Sequence, residues 1–224
     1  FLFLSSLIIY DTSNWLEEPV SERKFEMQDS KIKGYTNGKL AWEVQSDYIW
    51  TGRNKYLFKM DTLNFGRLYD SNGKLVMDDL KAKGLRVNSK RKILISTGNI
   101  QAVILKKSED DAPHSSDPED RYFLKAKQMK YFDYNKKAYM TGAVQILQDD
   151  LRIESDEMIF FNDKNEIVSE KPIRIQTDEY FATSNQLVIF VDDDHAKLSK
   201  KVALFRPGEV IKNSNLDERE IELR

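Results

Sequence analysis

The sequence predicts an all-β protein built as an array of repeated hairpins, and three observations predict it. Between Tyr122 and Leu204 one pattern occurs three times, without gaps, at a constant offset of 29. Met129, Met158 and Leu187 correspond, as do Tyr131, Phe160 and Ile189, and Val144, Ile173 and Val202. Within each copy apolar residues recur every second position, the mark of a strand with one buried face. The alternation then slips by one residue at the same place in every copy, after Ala126, Ser155 and Ser184. One extra residue in a strand is a β-bulge, which bends the strand and increases its twist. Self-similarity of this kind means a supersecondary unit reused, each copy covering the apolar face of the next. An amphipathic helix pair does not fit, because β-branched and aromatic residues dominate and a period of 3.6 is missing.

The elements follow in order. Phe1 to Tyr10 is uncharged and almost wholly apolar, and gives way abruptly to Asp11. Ten helical residues span about 15 Å, half of the roughly 30 Å hydrocarbon core. We read residues 1–10 as the end of an N-terminal membrane anchor; part of a secretory signal and a buried strand are the alternatives. Residues 11–34 read as a linker or loosely held first strand. The array proper, 35–205, opens on the hairpin turn Asn37-Gly38. Trp42, Val44 and Ser46 then alternate, and the slip recurs before Ile49. Phe65 to Leu75 forms an additional hairpin turning at Asn72-Gly73, and a further copy of the repeat fits residues 82–104 at an offset of 44. Turns are expected at 133–137, 162–165 and 192–194. About five hairpin units and ten or more antiparallel strands follow. Glu109 to Asp120 holds six acids, two prolines and two serines and reads as a solvated surface loop. Residues 206–224 form a polar tail, expected to be frayed or weakly attached.

Composition bounds the function. With 40% hydrophobic and 11% aromatic residues, the 224-residue chain can bury a sizeable core. A net charge of -2 with interspersed signs gives no basic field to attract nucleic acid. Cysteine is missing, so no disulfide or thiolate metal site exists. No phosphate-cradling Gly-rich loop, nucleophile elbow or metal-spaced histidine pair is present. His114 lies in the acidic loop and His195 in a turn, both read as exposed. Asp192, Asp193 and Asp194 are too few oxygens in too short a turn for a calcium site. No catalytic residue, metal or cofactor is expected, and the work of the protein is expected to be binding.

Two features suggest what kind. Inward positions carry large apolar groups at one end of each strand and small ones further along: Ala82, Ala126, Ser155 and Ser184, with Gly98 and Gly142. Such a face either leaves room for an acyl chain or lets two sheet halves pack closely. An array that does not close also has an unpaired strand at each end, suited to strand addition by a partner. Lys197, Leu198, Lys200, Val202 and Leu204 mark the expected C-terminal edge strand.

The apolar start, the run Gly38-Lys39-Leu40-Ala41-Trp42-Glu43-Val44-Gln45-Ser46, the run Tyr69-Asp70-Ser71-Asn72-Gly73-Lys74 and the repeated small-residue, aromatic, Gly-x-Val units together resemble the LptC type of lipopolysaccharide-transport protein. They are also similar to the related soluble LptA/OstA β-jellyroll family. The resemblance spans residues 35–205. It implies an open, V-shaped antiparallel β-jellyroll in the periplasm, held by one N-terminal helix to the inner membrane. It also implies three partners: lipopolysaccharide, an inner-membrane ABC transporter that supplies the ATP hydrolysis, and a neighbouring LptA-like jellyroll joined edge to edge. The acidic insertion and the charged tail depart from the family pattern, and the tail is in a position to cover the final strand.

On this reading a lipid groove is lined by Leu85, Val87, Ile100, Met129, Tyr131, Met140, Val144, Met158, Phe160, Ile173, Leu187, Ile189 and Val202. A soluble LptA-like bridge is one alternative. A structural or adhesive repeat protein with a packed core is another, and a carbohydrate-active enzyme would require paired carboxylates facing one cleft.

Overall fold

The computed structural model describes residues 25–106, 121–205 and 221–223. The expected anchor at 1–10, the acidic loop and most of the tail lie outside them. Among the described residues every regular element is a strand: β1 (Phe25–Thr36), β2 (Lys39–Thr51), β3 (Leu57–Met60), β4 (Phe65–Tyr69), β5 (Leu75–Lys81), β6 (Gly84–Asn88), β7 (Ile93–Leu105), β8 (Arg121–Phe132), β9 (Lys137–Gln148), β10 (Leu151–Phe161), β11 (Glu166–Ser169), β12 (Ile173–Gln176), β13 (Phe181–Ser184), β14 (Gln186–Phe190), β15 (His195–Ser199), β16 (Ala203–Phe205) and β17 (Ile221–Leu223). All pairings given for them are antiparallel.

The repeat predicts hairpins side by side, and the connectivity is richer than that. Long strands cross from one sheet to a second through a corner. β2 pairs at its far end with β3 and at its near end with β4; β3 continues into β6, β4 into β5, and both bands rejoin on β7. β7 to β10 run unbroken across both sheets. Beyond β10 the layers separate again, as β11–β14–β15–β17 on one side and β12–β13–β16 on the other. We call the layer holding β3, β6, β11, β14 and β15 the first sheet, and that holding β4, β5, β12, β13 and β16 the second.

The corners are the slips read from the sequence. Register shifts fall between Thr97 and Ile100, Lys125 and Gln128, and Ser155 and Glu157. Paired left-handed residues make the bends: Gly98 and Asn99, Gly142 and Ala143, Lys200 and Lys201. A Cβ on Gly142 would stand 2.9 Å from that of Lys127, so glycine is needed both for its φ of +79° and for the space.

The small residues also find their reason here. Where a bulge breaks the ladder, backbone carbonyls lose their partners, and a buried carbonyl must find another. Ser184 donates to the carbonyl of Ser199 at 2.5 Å and is placed to reach those of Gln186 and Lys200; Ser46 contacts the carbonyls of Thr62 and Tyr48 in the same way. Ser155 lies 3.0 Å from the Ser169 hydroxyl, which faces the carbonyls of Glu157 and Lys171. These side chains close corners; they do not clear space for a ligand.

Candidate functional site

Among the described residues the interior between the two sheets is predominantly apolar. In the first sheet a cross-strand row runs Val87, Leu94, Tyr131, Ala138, Phe160, Ile167, Ile189 and Ala196. A second row carries Leu85, Ser96, Met129, Met140 and Met158, which places three methionines on adjacent strands. The second sheet answers with Leu124, Ile146, Ile153, Ile175 and Ala182. All thirteen residues expected to line a groove, Leu85, Val87, Ile100, Met129, Tyr131, Met140, Val144, Met158, Phe160, Ile173, Leu187, Ile189 and Val202, point into this interior and none is more than 2% exposed. In this state they form a filled core rather than an open trough. The cause is geometric: the corners let the two sheets fold face to face until their side chains meet.

Corners join the sheets on one side; turns meet on the other. There the hairpin turns of the first sheet are tied to the strand ends of the second by polar side chains. Thr36 donates to Asp133 Oδ2 at 2.6 Å, and Lys92 reaches Thr36 at 3.2 Å. Ser71 donates to Asp163 from its amide and its hydroxyl. Asn165 Nδ2 donates to the carbonyl of Leu105 at 2.9 Å. Finally Asp194 Oδ1 accepts from Tyr122 at 2.7 Å and from Gln148 at 3.2 Å, with Lys106 Nζ at 3.3 Å. Partial burial pushes the Asp194 carboxyl up, but Tyr122, Gln148 and Lys106 outweigh it and the net shift is down. Burial, then the hydrogen bond to Asp194, holds the Tyr122 hydroxyl far above its usual range, so it stays a donor.

The turns are built alike. Lys92, Lys136, Asn165 and Asp194 each end a turn with φ between 53° and 55°. The carbonyls of the first three accept from Asp133, Asn162 and Val191, so each turn is bonded to the next. Sequence reasoning reads Lys136, Asn165 and Asp194 only as turn residues and misses the contacts of Asn165 and Asp194 to the second sheet. The offset of 29 that relates Lys136, Asn165 and Asp194 is the signal that marks them. The aspartate run works here too: Asp192 accepts from Asn165, and Asp194 holds Tyr122. His195 is not an exposed turn residue; it opens β15, half-buried and stacked on Phe190 at 4.4 Å.

Beyond the Asp194 cluster the mouth parts. A cavity of about 310 Å³ opens between the turns, with Ile153, Ile175, Ile189 and Ala196 lining it beside Asp149, Asp150 and Glu179. Of the expected groove residues Ile189 alone lines it. A second cavity, about 410 Å³, lies at a corner against Val144 and Ile173. Deep inside, the Tyr131 hydroxyl and the Asn162 amide have no hydrogen-bond partner among the described residues.

The edges differ from one end to the other. Among the described residues β1 has β2 as its partner strand, in both sheets. At the opposite end the expected edge strand is divided. Lys197 and Leu198 lie on β15, covered by β17 through the pairs Lys197↔Glu222 and Leu198↔Ile221. Lys200 and Val202 fall in the bend after β15, where two left-handed residues interrupt the ladder. Leu204 lies on β16, which among the described residues pairs with β13. On β15 a strand of the tail lies at the edge.

Residues 124–214 match the model of the family described as LptA/(LptD N-terminal domain) LPS transport protein. That stretch is similar to the LptA/LptD N-terminal family. The LptA-like segment begins in β8 and includes all strands from β9 to β16. The match does not reach the LptC type. A comparison with curated proteins finds no match. Among solved structures the chain is similar to the crystal structure of LptH, the LptA homologous periplasmic component of the lipopolysaccharide transport device from Pseudomonas aeruginosa, at 11% identity over 64% of this chain and 78% of that one. The TM-score is 0.33, too low to carry an argument.

Proposed function

We propose that the chain is a non-catalytic periplasmic carrier of lipopolysaccharide, which takes up the acyl chains between its two sheets and hands them to a neighbouring β-jellyroll joined at a strand edge. The observation that carries this reading is the continuous apolar interior between the two sheets, within a chain whose residues 124–214 match a lipopolysaccharide-transport family. The filled core is consistent with transport if it repacks. Met129, Met140 and Met158 sit side by side, and methionine adapts to irregular contents because its chain is unbranched and its sulfur polarizable. The corners are covalent and the turn side is held by hydrogen bonds, so parting the turns is the direction in which the interior opens. The finer assignment is the LptC type: residues 1–10 end an inner-membrane anchor, the array occupies 35–205, and an ABC transporter delivers the lipid. The soluble LptA-like bridge is its counterpart without the anchor.

A second reading, a structural repeat protein with a permanent core, is favoured by the burial of all thirteen interior residues. Photo-crosslinking separates the two. A crosslinker at Met140 or Phe160 is expected to give adducts with lipopolysaccharide, and one at the outward Gln145 to give none. Adducts confined to outward positions, or none anywhere, would sink the carrier reading.

A further inference from the structure

The inner face of the first sheet grades from apolar at the corners to polar at the turns. The row nearest the corners carries the three methionines, the next Tyr131, Ala138 and Phe160, and Asp133, Lys136 and Asn162 stand at the turns, all buried. Ala138 pairs with Tyr131 on one side and with Phe160 on the other, and Asn162 follows Phe160 by two residues, its backbone N–H bonded to the Lys136 carbonyl. Tyr131 and Asn162 therefore reach in from either side of a residue whose side chain is a methyl group, on strands about 10 Å apart across β9. Both are fully buried, and the Tyr131 hydroxyl and the Nδ2 and Oδ1 of Asn162 meet no hydrogen-bond partner. Unmet buried donors and acceptors are costly, so a fold that keeps them keeps them for another use. The charges nearby are already matched: Lys136 Nζ lies 2.5 Å from Asp133 Oδ1, and Asp163 accepts from Ser71. The open groups thus call for a neutral polar ligand. Burial, then Asp133 and Asp163, hold the Tyr131 hydroxyl far above its usual range, and it remains a donor.

We propose that Tyr131 and Asn162 recognise the amide that joins an acyl chain to its head group, with the chain toward the methionines and the head group toward the turns. This rests on the carrier reading and adds to it the class of acyl amphiphile taken. Asn162 leaves a donor and an acceptor open at once, and the group that satisfies both is another amide: its carbonyl accepts from Nδ2 and its N–H donates to Oδ1. The Tyr131 hydroxyl donates to the second lone pair of the same carbonyl. An ether linkage has no donor and leaves Oδ1 unmet. Sites built to hydrogen-bond a group reject the analogue that lacks it far more strongly than apolar sites reject a change of size.

The test uses the full chain and two probes of equal chain length, N-tetradecanoyl glucosamine with its amide and tetradecyl glucoside with its ether, each titrated calorimetrically below its micelle concentration. The ratio of the two affinities cancels the cost of opening the interior. The wild type is expected to prefer the amide by about tenfold or more. In Asn162→Leu the preference is expected to vanish, and in Tyr131→Phe, which deletes one oxygen and keeps the ring, to fall to an intermediate value. Ser96→Ala removes an unmet hydroxyl at the corner end of the same face and is expected to leave the preference unchanged. Equal affinities in the wild type, a preference that both variants keep, or an equal loss in Ser96→Ala would overturn the assignment. Lipopolysaccharide that still binds in those cases leaves the carrier reading standing, whereas failure of lipopolysaccharide and of both probes to bind removes the two together.

Discussion

Asp194 is the residue at which the two sheets are most heavily tied, since three side chains from the second sheet converge on one of its oxygens. Its carboxyl is held below its ordinary value, so the tie contributes fully above the usual carboxylate range and is lost as pH falls through the lowered value. The stability gap between wild type and Asp194→Asn, followed by urea unfolding from pH 6 to pH 3, is therefore expected to narrow on acidification. A gap that stays constant would assign the loss to something other than the charge. Ser184 makes a different kind of contribution. It faces three backbone carbonyls at a corner and is 2% exposed, so Ser184→Ala should cost about 1–3 kcal/mol, read as a lower urea midpoint at constant slope. Neither role is visible in residue type: a serine at a repeat position reads as small, and its hydroxyl matters only once the bulge has released carbonyls beside it.

At the scale of the element, the strands were legible in outline. Alternation and the recurrent slip place β8, β9 and β10 and the positions of their bends, because both signals are local to one strand. What alternation does not carry is partner choice. β2 divides between β3 and β4, and β11 skips to β14, because the residue that leaves the ladder at each corner sends the chain into the other sheet. The first strand is a case between: residues 11–34 read as a linker or a loosely held first strand, and residues 25–34 lie in β1, which pairs with β2 through both sheets. The bend after Met140 is sensitive to change. Gly142→Ala places a methyl group 2.9 Å from Lys127 Cβ at a positive φ, and is expected to destabilise by about 1–3 kcal/mol in thermal or urea unfolding. Ala143→Gly at the neighbouring left-handed position should be neutral or stabilising, since glycine meets no steric cost there. The reverse order of the two effects would remove the corner account.

At the scale of the whole molecule, the sequence leads to a trough and the structure holds a core. The thirteen inward positions are where alternation puts them, but side-chain pattern says which face is apolar and not whether a second face closes over it. Closure depends on contacts between residues far apart in the chain, such as Thr36 with Asp133 and Ser71 with Asp163, and Thr36 and Ser71 stand outside the 29-residue repeat. The two sheets are thus joined by the corners and tied by the turns, with a cavity beside the Asp194 cluster.

The most direct test is the methyl NMR spectrum of the six methionines during titration with lipopolysaccharide. If the interior repacks around acyl chains, the resonances of Met129, Met140 and Met158 shift together, while Met27 on β1 stays in place. If the three interior methyls are unmoved at saturating lipid, the core does not admit a guest and the carrier function fails.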